Sequence, residues 1–108
     1  MILVGDFVPQ KTSPDLPDWG DEIILANLEG PLCSDGLRPI DKVGIHLHSA
    51  PRRFQGRWAF TLANNHFMDY REEGMCETIR LLDGQAIPHT GAGGTLEEAR
   101  APMWLEEC

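Results

Sequence analysis

Short apolar runs alternate with longer stretches of polar residues, glycine and proline along this chain. Three of these runs, at residues 2–8, 22–28 and 58–63, are rich in Ile, Leu, Val, Phe and Trp. They are too short for typical helices and are flanked by turn residues, so they predict buried strands. A fourth strand is predicted at residues 86–89, and residues 102–106 resemble the start of another.

The clearest helix is predicted at residues 70–83. Met75, Ile79 and Leu82 recur there at the spacing of one helical face, which we expect to pack on the sheet. Gly84 is expected to end this helix as a left-handed cap.

Shorter elements are predicted between and after the strands. The stretch at residues 95–98 has the form of a capping box that opens a short helix. A short helix is also expected at residues 50–55 and a short strand at residues 46–48, whereas residues 9–21 and 30–44 are interpreted as loops. Strands that alternate with helical or loop crossovers predict an α/β fold, with a mainly parallel sheet covered by helices. The length of 108 residues allows one small domain, residues 1–108.

Composition narrows the possible partners. The net charge of −8 argues against nucleic acid or an anionic membrane surface as a partner. No apolar run reaches the roughly 18–20 residues of a membrane span, and the amino terminus lacks a secretory signal. Taken literally, these features indicate a cytoplasmic protein, or a cell-envelope protein if an upstream anchor is missing. Cys33, Cys76 and Cys108 show no spacing typical of a disulfide framework or a zinc site.

Polar residues and glycines gather where the predicted strands end. In an open α/β sheet, ligands bind outside the carboxyl ends of the strands. The four ends carry Gly5-Asp6, Asn27-Leu28-Glu29-Gly30, Asn64-Asn65-His66 with Asp69 beyond, and His89 followed by TGAGG.

Each of these features also has a purely structural interpretation. Asn64 and Asn65 suit a turn, Asp6 and Glu29 suit loop or helix caps, and His66 suits a hydrogen-bonded structural role. Taken together, however, carboxylate and carboxamide oxygens are ligands that Mg²⁺ and Mn²⁺ prefer. A histidine beside them could donate a proton to a leaving group, so the set predicts metal-assisted hydrolysis.

The order of these motifs resembles the bacterial capsule-synthesis family CapA. The resemblance rests on GD after the first strand, NLEG after the second, then ANNH-xx-DY, a helix, and TGAG followed by EAR-x-P. It implies a role in the synthesis of poly-γ-glutamate capsule and half of a metallophosphoesterase-like α/β sandwich. It also implies a weakly held divalent metal and a substrate that is polyglutamate or another anion.

The resemblance assigns a role to each matching position. It implies Asp6, Glu29 and Asn65 as metal ligands, His66 as the catalytic residue, Asp69 as a structural residue, and Asn64, Gly91 and Gly93 as a loop for substrate or anion.

The chain also departs from the family pattern. It corresponds to about the first half of the family's domain, and the later histidine motifs are absent. "REEGM" stands where a glycine usually follows Asp-Tyr. We therefore expect a partial site that is inactive alone. The alternatives are a small metal-dependent phosphoesterase, or a non-catalytic binding module that pairs through an exposed sheet edge, for example as a homo-oligomer.

Overall fold

A computed structural model describes residues 1–9 and 20–105 of the chain. Its elements, in chain order, are β1 (Ile2–Phe7), β2 (Ile23–Leu28), β3 (Arg57–Thr61), α1 (Arg71–Gly84), β4 (His89–Thr90) and α2 (Leu96–Arg100).

The four strands form one parallel sheet in the order β1-β2-β3-β4. This arrangement confirms the predicted α/β class. Because the strands are parallel and neighbours in the sequence are neighbours in the sheet, their carboxyl ends share one edge. The register shifts between Leu3 and Asp6 of β1, which is an irregularity next to the predicted site.

The main core lies on one face of the sheet. The register pairs Ile24 with Trp58 and Ala26 with Phe60, so these side chains share a face, and all four are buried. Leu82 of α1 belongs to the same apolar cluster. Burial of this face is the main source of stability for the unit.

The buried face of α1 differs in part from the prediction. Met75 and Leu82 are buried as expected, but Ile79 is only partly buried, and Thr78 takes its place in the interior. The Thr78 hydroxyl accepts a hydrogen bond from the Leu32 amide at 2.8 Å and lies 2.7 Å from the carbonyl oxygen of Gly74. Thr78 is therefore buried with its polar atom satisfied, which a purely apolar helix pattern does not reveal.

The end of α1 was predicted incorrectly. The helix continues through Gly84, and the left-handed residue is Ala86, with φ of 55°. The amides of Gln85 and Ala86 bond the carbonyls of Leu82 and Asp83. The chain therefore reverses two residues later than the glycine suggests.

Two other short predictions were wrong. Residues 46–48 form no strand, and the pairing there is one parallel bridge between Leu32 and Ser49. Residues 50–55 are not helical, because the Gln85 side chain bonds the Phe54 amide and the Arg52 carbonyl in place of helical partners.

The part of residues 102–106 that is described, 102–105, is irregular. Residues 10–19 of the predicted 9–21 loop and residue 106 lie outside the described residues. Within residues 1–9 and 20–105, no helix has the length and apolar character that a membrane crossing requires.

Candidate functional site

The carboxyl ends of β1, β2 and β3 are joined by a row of polar side chains. Asp6 pairs with Asn27 in the register, and Asn27 pairs with Thr61. The side-chain nitrogen of Asn27, Nδ2, donates to Asp6 Oδ1 at 2.7 Å, and the Thr61 hydroxyl donates to Asn27 Oδ1 at 3.2 Å. Asn27 therefore connects the predicted ligand Asp6 to the rest of the sheet edge.

Asn64 builds the turn that follows β3. Its side-chain nitrogen donates to the Leu28 carbonyl at 2.7 Å and to Asn27 Oδ1 at 3.2 Å. Its Oδ1 accepts the His66 amide at 3.1 Å. Both ends of the Asn64 side chain are thus used within the protein, which is the turn role that asparagine performs well.

His66 lies between two carboxylates. Its Nδ1 is 2.7 Å from Asp69 Oδ2, and its Nε2 is 3.9 Å from Glu29 Oε1. A carboxylate can only accept, so the contact with Asp69 places the ring proton on Nδ1. Nε2, the other ring nitrogen, faces Glu29, so one nitrogen of His66 is held by the protein and the other is directed toward a group at the edge of the sheet.

Asp69 is fully buried and holds several parts of the chain together. Its carboxylate accepts from Lys42 Nζ at 2.5 Å, from the Leu47 amide at 2.8 Å and from His66. Burial acts to raise the pKa of Asp69, but the hydrogen bonds from Lys42, Leu47 and His66 outweigh it and hold the pKa below its usual value. Asp69 is therefore ionised at neutral pH.

The predicted metal ligands are only partly brought together. Glu29 is half-buried beside His66, while Asp6 is exposed and reaches the other polar groups through Asn27. Asn65 is exposed on the turn. Within the described ranges, 1–9 and 20–105, no group of three His, Cys, Asp or Glu side chains is close enough to hold an ion. The donors are chemically suited to a hard cation, but here they supply only part of a coordination shell.

The glycines of the TGAGG loop have packing reasons of their own. Gly91 has φ of 101°, and a Cβ there would lie 2.7 Å from the Ala63 amide nitrogen. A Cβ at Gly93 would lie 2.5 Å from Glu98 Cβ. The Glu98 carboxylate already accepts the Gly94 amide at 2.8 Å. This loop can therefore approach the turn after β3 closely, and one of its amides is already bound to a carboxylate of the chain itself.

A groove of about 310 Å³ lies between this loop, the turn after β3 and α1. Asn64, Met68 and Glu72 line it together with Gly91 and Gly93. A second groove, of about 400 Å³, lies at the opposite end of the strands beside Ile23 and Arg57. The groove beside Asn64 is the candidate ligand-binding groove, because ligands of such sheets bind at the carboxyl ends of the strands.

Sequence reasoning missed two residues of the site. Asn27 was recognised as part of NLEG but was given no role, although it bridges Asp6, Thr61 and Asn64. No sequence pattern singled out Lys42, because it lies 27 residues before Asp69 in a segment interpreted as loop. The pattern of strands and loops along the chain does not predict a contact between two such distant residues.

Comparison with known proteins supports the resemblance seen in the motifs. The profile of a family described as "Bacterial capsule synthesis protein PGA_cap" matches residues 10–107. An uncharacterized protein of Sinorhizobium fredii is 48% identical over 67 residues, which are 62% of this chain and 13% of that protein. A probable polyglutamine synthesis accessory protein of Mycobacterium tuberculosis is 30% identical over 90 residues, which cover 79% of this chain and 23% of that protein. The chain thus spans less than a quarter of the length of these curated relatives.

Proposed function

The chain belongs to the bacterial capsule synthesis protein family PGA_cap, and we propose that it takes part in making the poly-γ-glutamate of the capsule. Two observations support this role. The motifs that resemble the family lie at the carboxyl ends of the strands, and a relative is named for polyglutamine synthesis. The substrate class we propose is polyglutamate or another anionic chain.

One observation carries the chemical part of the proposal. His66 is held by Asp69 with its Nε2 directed toward Glu29, at the edge of the sheet where ligands bind. A histidine held in this way can move a proton at a group bound beside Glu29.

We further propose that a divalent ion such as Mn²⁺ or Mg²⁺ binds weakly at this edge. Glu29, Asp6 and Asn65 would contribute oxygen ligands, and water would fill the remaining positions. When bound, such an ion would polarise an oxygen of the substrate. The affinity should be low, with a dissociation constant on the order of 10⁻⁴–10⁻³ M, because the chain offers few protein donors.

Calorimetry tests the metal site. We expect Mn²⁺ to bind the wild type and binding to be lost in the double variant Asp6→Ala/Glu29→Ala. The matched control is Asp21→Ala/Asp83→Ala, which removes the same charge at two exposed positions near the opposite end of the strands, two residues before Ile23 and Gln85. Equal binding by the wild type and both double variants would refute the site and leave only non-specific attraction of cations to an acidic protein.

Catalysis by this chain alone should be weak or absent. General acid catalysis contributes at most about 10²–10⁴-fold, and it needs a fixed metal and a positioned nucleophile to act on. The assay is hydrolysis of a chromogenic phosphate ester and of a γ-glutamyl amide with Mn²⁺ supplied. Turnover near roughly 1 s⁻¹, an ordinary enzymatic rate, that is abolished by His66→Ala would favour the alternative of a complete small phosphoesterase.

A second candidate function is that of a non-catalytic binding module. Among the described residues, β1 has a neighbouring strand on one side only, and Leu3 on it is 74% exposed. Such an edge can add a strand from another chain, for example a second copy.

A further inference from the structure

Lys42 reaches a carboxylate that has no contact with solvent. The Lys42 side chain is 26% exposed and the Asp69 side chain 0% exposed, and Nζ lies 2.5 Å from Oδ1. A buried carboxylate without a positive partner costs several kcal/mol. Removal of Lys42 alone should therefore destabilise the protein more than removal of one partner of a surface ion pair, which contributes little to stability.

The two oxygens of Asp69 have separate tasks. Oδ1 accepts Lys42, while Oδ2 accepts both the Leu47 amide and His66 Nδ1. With Lys42 on Oδ1, the carboxylate stays charged and its plane stays fixed, so Oδ2 remains an acceptor aimed at the ring. Without that charge, Asp69 would either take up a proton or turn toward water. In the first case the Nδ1 proton of His66 would face an uncharged and weaker acceptor, and in the second case it would lose its acceptor.

We propose that Lys42 is a positioning residue, which acts through Asp69 to keep the His66 ring oriented with its Nδ1–H on Asp69 and its Nε2 facing Glu29. The geometry of the ring stands on its own, and only the use made of Nε2 rests on the proposed function. Loss of the carboxylate that orients a catalytic histidine can reduce catalysis by orders of magnitude, because the ring is then held in the wrong tautomer.

The chain is well suited to a direct test, because it has four histidines and all of them are described. His46 bonds the Ile40 carbonyl through Nε2, and His48 and His89 bond aspartates through Nε2. These three should therefore give the Nε2–H pattern, opposite to that of His66. They serve as internal references in the same spectrum.

The experiment is two-bond ¹H–¹⁵N correlation on protein with ¹⁵N-labelled histidine, at one pH well above the ordinary histidine pKa of about 6.5. His66→Gln assigns the signal. In the wild type, we expect His66 to be mainly Nδ1–H. In Lys42→Met, the ratio of Nδ1–H to Nε2–H should fall by about tenfold or more, as expected for loss of a hydrogen bond to a charged acceptor. Lys42→Arg should restore the wild-type pattern, and Val43→Ala, on the same loop, should not change it.

Several outcomes would overturn the proposal. A wild-type His66 in the Nε2–H form would do so without any variant. A folded Lys42→Met protein whose tautomer ratio matches the wild type would show that Lys42 only stabilises the loop. If Lys42→Met does not fold, Lys42→Gln, which keeps a donor but no charge, replaces it, and an unchanged ratio there has the same meaning. The experiment uses neither metal nor substrate, so its result does not depend on whether the proposed function is correct.

Discussion

Arg71 carries a backbone conformation that does not suit its residue type. Its φ is 63°, in the left-handed region that glycine adopts easily and arginine does not. It directly follows Asp69-Tyr70, where the family pattern usually has glycine. The left-handed form costs an L-residue with a Cβ about 1–2 kcal/mol. The sequence departure noted at "REEGM" therefore has a definite physical cost.

Replacing Arg71 by glycine should stabilise the protein. We expect a gain of about 0.5–1 kcal/mol in the free energy of unfolding, because relief of the left-handed strain exceeds the extra entropy of a glycine. Arg71→Ala is the matched control, since it removes the same weak hydrogen bond to the Pro39 carbonyl, at 3.3 Å, but keeps the Cβ. Denaturant unfolding of the two variants measures the difference. Equal stability of both would mean that Arg71 is not strained.

At the scale of elements, α1 shows how a helix is fixed to the sheet by few residues. Leu82 is fully buried in the main core, whereas Ile79 packs only against its margin. Gly74 approaches Pro31, and a Cβ there would lie 2.8 Å from Tyr70 Cβ. The contact face of α1 therefore includes a glycine and a threonine beside the apolar positions.

The two apolar positions should differ in their contributions to stability. Leu82→Ala should cost about 2–5 kcal/mol, because it removes buried methyl groups and leaves a cavity. Ile79→Ala should cost about 1–2 kcal/mol, since only part of that side chain leaves water on folding. Denaturant melts of both variants compare them directly. A larger loss for Ile79→Ala than for Leu82→Ala would contradict the orientation of α1 described above.

At the scale of the whole molecule, the edge strand β1 raises the question of self-association. An unpaired edge with an exposed leucine favours pairing with a second copy. If the chain acts as the proposed binding module, light scattering should give a mass that rises toward a dimer with concentration. Leu3→Lys should reduce this mass, because a lysine on an edge strand opposes pairing. Val43→Lys, at a fully exposed apolar residue in a loop, is the control. A monomer at all concentrations would exclude pairing through this edge.

Much of the fold was predictable from local patterns. The strands at 2–8, 22–28 and 58–63 were found to within two residues at each end, because short apolar runs with flanking turn residues have few alternatives. The short helix after TGAGG was also found, and Thr95 caps it by accepting the Glu98 amide. The Glu98 carboxylate, however, returns to the Gly94 amide and not to Thr95, which the spacing does not distinguish.

Residue type and spacing along the chain were enough to predict the α/β class, the positions of the three main strands and the polar residues at the strand ends. Three features of the site depend on the folded chain and could not be predicted: Asn27 joins Asp6 to Asn64, Glu29 rather than Asp6 lies next to His66, and Lys42 pairs with Asp69. The position of the left-handed turn after α1, at Ala86 and not Gly84, also depends on the folded chain. The physical reason is the distance along the chain between the residues that interact. A local pattern reports which face a side chain occupies, whereas these contacts join residues that are distant in the chain, and their geometry is fixed by the packing of the whole sheet.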